Sequence, residues 1–268
     1  MSEIDSDLKN RIHLSVVTVV YNGAPFLEET ILSVTEQTYD NIKYFIVDGG
    51  SSDGTLDIIR KYEDSLDSWI SEADRGIYDA MNKAIQGATP GYLCFMNAGD
   101  VFYNASTVAD VVAALNDREP QVIYGDSQVR YADGFLRMDR ALAIDQLRKG
   151  MCFSHQATFV EAELLKQNLF NIDNKIGADY ELFCHLHSMK AEFTRVDVCI
   201  ATTSADGVSD EQRTSSIKSH WLVARKYWPG LKTDSYYLAK IFDSFIRMSL
   251  RRLLPRRWVS TLVRLKYQ

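Results

Sequence analysis

Four short apolar runs, each closed by a polar group, set the rhythm of the first hundred residues. Leu14 to Val20 (LSVVTVV), Ile42 to Val47, Trp69 to Ser71 and Tyr92 to Met96 are largely apolar and rich in β-branched or aromatic residues. That is the pattern of strands buried on both faces of a parallel sheet. Asn22, Asp48, Asp74 and Asp100 follow these runs at a constant interval of 26 residues, room for one strand and one crossover helix. Between the runs the spacing turns helical. Pro25 opens a helix whose apolar face is Phe26, Leu27, Ile31, Leu32 and Val34, with Glu28 and Glu29 in its early turns. Leu56 to Tyr62 and Tyr78 to Gln86 read as two more, the latter stopped by Gly87. The pattern predicts an α/β fold with a mostly parallel sheet flanked by helices. It also places four polar side chains on one sheet edge, where open α/β sheets bind ligands. One such Asn or Asp would be read as a helix N-cap; four in register are read as a site.

Further along, Val108 to Leu115 reads as a helix and Val122 to Asp126 as a strand. Beyond Asp126 the alternation decays, which predicts that antiparallel or mixed strands extend the sheet, with Ala157 to Val160 one candidate. Tyr180 to Met189 has helical character and Phe193 to Ala201 strand character. In the tail, Leu238, Ile241, Phe242, Phe245 and Met248 fall at helical spacing, Pro255 interrupts, and Trp258, Leu262 and Leu265 begin a second stripe. The expected division is a polar segment 1–13, a first half 14–126, a second half 127–232 and an amphipathic basic tail 233–268.

Charge changes the picture in the tail. The 268 residues carry a net charge of -6, yet residues 239–268 hold eight Lys/Arg against Asp243 alone, or +7, leaving -13 for residues 1–238. Basic amphipathic helices suit an anionic membrane surface; the alternative is a helix packed on its own acidic domain. No nucleic-acid partner is expected. Cys94, Cys152, Cys184 and Cys199 show no paired spacing and read as reduced thiols, not as disulfides or a zinc site. The acidic, polar start lacks the features of a signal peptide. No apolar stretch is long enough to span a bilayer. A cytoplasmic protein, peripheral at the membrane, is therefore expected.

The loop after Val47 (Asp48-Gly49-Gly50-Ser51-Ser52-Asp53-Gly54-Thr55) is small and glycine-rich, letting backbone approach a ligand closely. The chain has neither GxGxxG nor GxxxxGK[ST], so a dinucleotide fingerprint and a P-loop are both absent. Taken in order, SVVTVVYNG, FIVDGGSSDGT, SEADRGIYDAMNKAI and GYLCFMNAGD resemble the nucleotide-sugar domain of family-two glycosyltransferases, which have the GT-A fold. GMCFSHQATFV, IGADYELF and ADGVS are similar to the subgroup that builds bacterial surface polysaccharides. The resemblance covers residues 14–210.

The resemblance implies an inverting transferase that moves a sugar from a UDP-linked donor to a hydroxyl of a lipid-linked glycan, with Mn²⁺ or Mg²⁺. By the same resemblance Val19, Tyr21 and Asp48 hold the uracil and ribose, and Asp74 and Arg75 close over the base or diphosphate. Asp179 is the base that takes the acceptor proton, and His155 and Gln156 approach the diphosphate or acceptor. Two features complicate this. Asp48 could simply stabilise its own loop as an Asx-turn, and Asp179 could cap the helix that follows it. The family's Asp-X-Asp signature falls on Asn97-Ala98-Gly99, where both acids are missing, leaving Asp100 as the expected metal ligand beside the Asn97 carbonyl oxygen. That departure keeps open a sugar-nucleotide-binding protein with weak or no turnover. A nucleotidyltransferase is the other alternative, although Tyr21 to Pro25 contains no basic residue to hold a triphosphate.

Overall fold

The computed structural model describes residues 12–205 and 213–253. The strands β1 (Leu14–Val20), β2 (Ile42–Asp48), β3 (Ser68–Ser71) and β4 (Tyr92–Phe95) are joined by α1 (Ala24–Thr35), α2 (Thr55–Lys61) and α3 (Ile77–Gly87). All four strands run parallel, β1 lying between β2 and β4, with β3 outside β2. The chain winds outward through β2 and β3, then crosses back to place β4 on the other side of β1. That reversal makes the gap between β1 and β4 a topological switch point.

The rest of the sheet is mixed. It is built from β5 (Val101–Phe102), β6 (Val122–Arg130), β7 (Leu136–Asp139), β8 (Thr158–Glu161) and β9 (Phe193–Ser204), with helices α4 (Thr107–Ala114), α5 (Ala162–Gln167), α6 (Ala178–Ser188), α7 (Arg213–Tyr227) and α8 (Leu231–Leu253). The order across the sheet is β3-β2-β1-β4-β8-β6-β9-β5, and β7 pairs with β6. β8 is antiparallel to both β4 and β6, whereas β6 and β9 are parallel. The predicted mixed extension is thus present. The expected boundary at 126/127 falls inside β6 and that at 232/233 inside α8, so strand and helix run through both.

β1 is buried along its whole length, and alternation divides its side chains between two cores. Leu14, Val16 and Val20 pack with Leu27 and Ile31 of α1, Ile59 of α2 and Val108 of α4. Val17 and Val19 face Tyr78, Met81 and Ile85 of α3, in a cluster that continues to Tyr180, Leu182 and Phe183 of α6 and to Tyr237 of α8. The result is helices on both faces of one twisted sheet. Cys94, Cys152 and Cys184 are buried, Cys199 is half-buried, and all four are free thiols. Burial pushes Cys152 and Cys184 up to about 12.

Among the described residues no helix is long and apolar enough to cross a membrane. In α8 the single stripe expected from spacing divides into two faces. Ile241 turns inward with Tyr237 and Ser244, while Leu238, Phe242 and Phe245 stay exposed. The packed-helix alternative therefore describes one face of α8, and among the described residues nothing covers Leu238, Phe242 and Phe245 on the other. Residues 1–11, most of the ADGVS segment and the second tail stripe with Trp258, Leu262 and Leu265 lie outside the described residues.

Candidate functional site

The four polar residues at 26-residue spacing do end on one sheet edge, and none of them caps a helix. The N-cap positions of α1, α2 and α3 are Gly23, Gly54 and Gly76. Asn22 and Asp48 instead stitch loops together. Asn22 adopts a left-handed conformation with φ of 50°. Its amide oxygen accepts the Ser52 N–H at 2.9 Å, and its own N–H donates to Ser51 Oγ at 2.7 Å. The Gly23 N–H donates to Thr55 Oγ1 and the Ala24 N–H to Asp53 Oδ2.

Asp48 is fully buried. It accepts the N–H groups of Gly50 (3.1 Å) and Ser51 (3.0 Å) and the Ser71 hydroxyl (2.6 Å), with the Ser51 hydroxyl on its other oxygen. Three of these donors share Oδ2 and one reaches Oδ1, so the Asx-turn reading of Asp48 is realised. The N–H groups of Gly50 and Ser51 are spent on Asp48 and that of Ser52 on Asn22, which makes the loop a rigid floor and not an open phosphate cradle.

Above this floor stands Tyr21, 67% exposed. A Cβ at Gly49 would collide with Asp74 Oδ2 and touch the Tyr21 ring, so the missing side chain is what lets these groups close round one small gap. Asp74 Oδ1 accepts the Gly76 N–H at 2.7 Å. Arg75 lies on the rim, paired with Asp79 at 3.0 Å, and its carbonyl accepts a hydrogen bond from Lys175 Nζ at 2.7 Å. Val19 is buried in the core, and its carbonyl accepts the Ala98 N–H. Lys175 had no signal in the sequence, because only the fold brings its loop to this rim.

The second group of side chains gathers at the end of β4. The antiparallel register of β4 with β8 pairs Leu93 with Val160, which brings residues just before β8 alongside those just after β4. Gln156 Nε2 accordingly donates to Asp100 Oδ2 at 2.8 Å, and Asn97 Nδ2 meets His155 Nε2 at 3.2 Å. The other ring nitrogen, His155 Nδ1, lies 3.5 Å from Asp179 Oδ2. Tyr78 of α3 donates its hydroxyl to Asp179 Oδ1 at 3.2 Å. Asp179 itself is in the first turn of α6, whose N-cap position is Gly177. The alternative in which Asp179 caps this helix is not realised: the helix begins at Ala178, two residues before the expected Tyr180, and the carboxylate faces His155 and Tyr78.

Burial acts to raise the Asp179 carboxyl, but the bond and charge of His155, the charge of His220 and the Tyr180 N–H outweigh it and hold it below the usual aspartate value. Asp100 goes the other way. Burial pushes its carboxyl up against the opposing effects of Gln156, His155 and Arg130. His220 is pushed down by burial, with Asp179 opposing and Lys240 adding to the depression.

Among the described residues no three His, Cys, Asp or Glu side chains are grouped to hold a metal ion. Asn97 Oδ1 is nonetheless a buried acceptor with no hydrogen-bond partner among the described residues. Asn97 Oδ1 and the Asp100 carboxylate are hard oxygen donors three residues apart that together carry at most one charge. That set fits Mg²⁺ or Mn²⁺ only if substrate oxygens and water fill the other positions.

Residues 15–177 match Glycosyl transferase family 2. A PGL/p-HBAD biosynthesis glycosyltransferase of Mycobacterium bovis is 32% identical over 188 residues, 68% of this chain and 72% of that protein. Two solved structures share the fold. S. aureus TarS 1-349 in complex with UDP-GlcNAc has a TM-score of 0.62 at 16% identity, over 86% of this chain and 72% of that one. The mannosyltransferase PcManGT from Pyrobaculum calidifontis, in complex with GDP-Man and Mn²⁺, has a TM-score of 0.64 at 20% identity, over 87% and 70%. Against the longer TarS chain the match covers 43% of that protein.

Proposed function

The chain belongs to glycosyltransferase family 2, with the GT-A fold, and from that premise we propose that it is an inverting transferase for a UDP-linked sugar. The observation that carries this reading is Asp179, an ionised carboxylate anchored by Tyr78 and His155 at the switch-point edge, beside Asn97 and Asp100. In a single displacement the acceptor hydroxyl gives its proton to Asp179 as its oxygen bonds to the anomeric carbon. The bond from that carbon to the diphosphate oxygen breaks on the opposite side, and the electron pair leaves with the diphosphate. One displacement inverts the anomeric centre.

Tyr21 and the Gly49 gap beside Asp74 take the base, with Asp48 shaping their floor. A base N–H would approach the Asp48 carboxylate at Oδ1, which carries the Ser51 hydroxyl alone. Arg75 closes over the base or diphosphate from the rim, and His155 and Gln156 line the diphosphate or acceptor side. Asp100 and the Asn97 oxygen would hold a divalent cation, Mn²⁺ or Mg²⁺, which would offset the charge of the leaving diphosphate. The acceptor is a lipid-linked glycan in surface-polysaccharide synthesis, met at the cytoplasmic face of an anionic membrane on which the basic tail rests. The unused Asn97 oxygen in place of an acid supports a second reading, a donor-binding protein with slow turnover.

The test is a thermal-shift panel of UDP, GDP and their sugars, with and without Mn²⁺. A ligand at a hundred times its Kd stabilises by about 2.7 kcal/mol. Stabilisation by uridine nucleotides with sugar transfer supports the first reading, and binding without transfer the second. Stabilisation by guanosine nucleotides alone overturns the UDP assignment.

A further inference from the structure

Asn97, His155 and Asp179 come from three separate parts of the chain and form one continuous line of contacts, 3.2 Å from Asn97 Nδ2 to His155 Nε2 and 3.5 Å from His155 Nδ1 to Asp179 Oδ2. The chemistry of the atoms orders the protons along it. An amide nitrogen can only donate, so His155 Nε2 accepts, and the one proton of a neutral imidazole then sits on Nδ1, facing Asp179. The imidazole side chain is 19% exposed and the carboxylate 18%, so water competes weakly for either end. Tyr78 takes the other carboxylate oxygen. Asp179 thus has a hydrogen bond on one oxygen and the imidazole 3.5 Å from the other.

At the far end of the line the Asn97 oxygen is buried and without a partner among the described residues. A group arriving there, whether a donor oxygen through a cation or a sugar hydroxyl, fixes the amide with its Nδ2 turned toward His155. Resting on the reading of Asp179 as the base, we infer that His155 is a positioning residue that orients Asp179 and ties that orientation to donor occupancy at Asn97. It then contributes little to holding the diphosphate, and it does not itself carry the acceptor proton.

The test compares wild type with His155→Ala, His155→Asn, Asp179→Asn and the double variant His155→Ala/Asp179→Asn. The probes are UDP-glucose, UDP-N-acetylglucosamine and GDP-mannose with Mn²⁺, with release of nucleoside diphosphate to water read as turnover and UDP or GDP affinity read by titration. His155→Ala is expected to lower kcat at least several-fold, by less than the about 10²–10⁴-fold that a general base supplies, with nucleotide affinity unchanged. The Asn side chain places an amide donor where Nδ1 was, so His155→Asn recovers most of the loss. In the Asp179→Asn background, His155→Ala costs nothing further. Loss of nucleotide affinity at unchanged kcat, or the same fold-loss in both backgrounds, overturns the inference.

A second readout needs no turnover. Nitrogen-15 spectra of labelled histidine, with the His155 signal assigned by its disappearance in His155→Ala, should show the Nδ1–H tautomer in wild type. Asn97→Ala should release Nε2 and mix the tautomers. An Nε2–H tautomer in wild type, or no response to Asn97→Ala, overturns the link. If Asp179→Asn turns over at the wild-type rate, the base assignment has failed instead, and the tautomer spectrum is unaffected by that failure.

Discussion

Tyr78 and Asp179 are 101 residues apart in sequence, and the Tyr78 hydroxyl donates to Asp179 Oδ1 at 3.2 Å. α3 and α6 pack on the same face of the sheet, and this bond joins the donor-binding half of the chain to its proposed base. The Tyr78 ring also packs on Phe170 with centroids 5.4 Å apart. Tyr78→Phe should keep that packing and lose only the bond. A hydrogen bond to a charged group is worth about 1.5–3 kcal/mol, so turnover should fall about 10- to 100-fold while the protein stays folded. Steady-state kinetics with a melting curve decides this, and wild-type turnover in Tyr78→Phe would remove the hydroxyl from the mechanism.

Asp179→Asn should abolish base function, costing about 10²–10⁴-fold in transfer, with donor affinity retained. Its pH dependence has a definite sign. Because the folded carboxyl lies below its ordinary value, ionised Asp179 stabilises the fold above about pH 4, the unfolded value. That contribution is lost as pH falls through the folded value. The melting temperature of wild type should therefore exceed that of Asp179→Asn at neutral pH and approach it in acid. A gap that widens in acid would contradict the depressed value.

Asp100 carries the opposite sign. Burial raises its carboxyl, so ionisation opposes folding, and stability is lost as pH rises through the folded value. Asp100→Asn keeps the shape and still accepts from Gln156. It should melt above wild type at neutral pH without metal and lose any Mn²⁺ enhancement of UDP binding. Titration of UDP with and without Mn²⁺ reads the second effect, and equal enhancement in both proteins would take Asp100 out of the metal site.

How much of this was legible follows from distance along the chain. β1, β2 and β4 announce themselves because strands buried in the sheet must be largely apolar, whereas β3, expected to be buried on both faces, is an edge strand whose four residues are exposed or half-buried. The register of Asn22, Asp48, Asp74 and Asp100 follows from the repeat of strand and helix. Asp100, His155, Gln156 and Asp179 were named in the sequence, but the contacts Asn97–His155–Asp179 and Tyr78–Asp179 were not, since only the β4–β8 register and the placement of α3 and α6 in one core on the same face of the sheet create them. β5 has two residues, too few for any period. β7 exposes Leu136 and Met138, so its pattern does not alternate in and out. In α8 the spacing revealed a helix, but Ile241 and Phe242 read as one stripe until the packing of Tyr237 fixed which side faces inward.

Gly49 tests the donor floor. Its missing side chain makes room for Asp74 Oδ2 and the Tyr21 ring, and it lies in a loop held by Asp48 and Asn22. Gly49→Ala should push Asp74 aside and crowd Tyr21, weakening UDP affinity about tenfold or more, equivalent to about 1.4 kcal/mol, with little change in melting temperature. Unchanged UDP affinity would place the base elsewhere.

The last prediction concerns the tail. α8 is anchored by Tyr237, which is fully buried with its hydroxyl 3.3 Å from that of Tyr180, and by Trp221 Nε1 donating to Asp234 at 2.7 Å. Removing the whole helix would open the core, so the membrane reading is tested without touching that face. Leu238, Phe242 and Phe245 are exposed on the other face, and residues 254–268 add Arg256, Arg257, Arg264 and Lys266 with no acid. Each basic residue near an anionic surface is worth about 1 kcal/mol, falling with salt. Deleting residues 254–268 should therefore weaken binding to phosphatidylserine vesicles by about 4 kcal/mol at low salt, roughly 10³-fold. Phe242→Glu with Phe245→Glu should weaken it in the full-length chain at any salt, because the loss there is of apolar contact and not of attraction alone. Both variants should retain the melting temperature and UDP affinity of wild type. A full-length chain that ignores such vesicles at low salt would leave the exposed stripe without a membrane role.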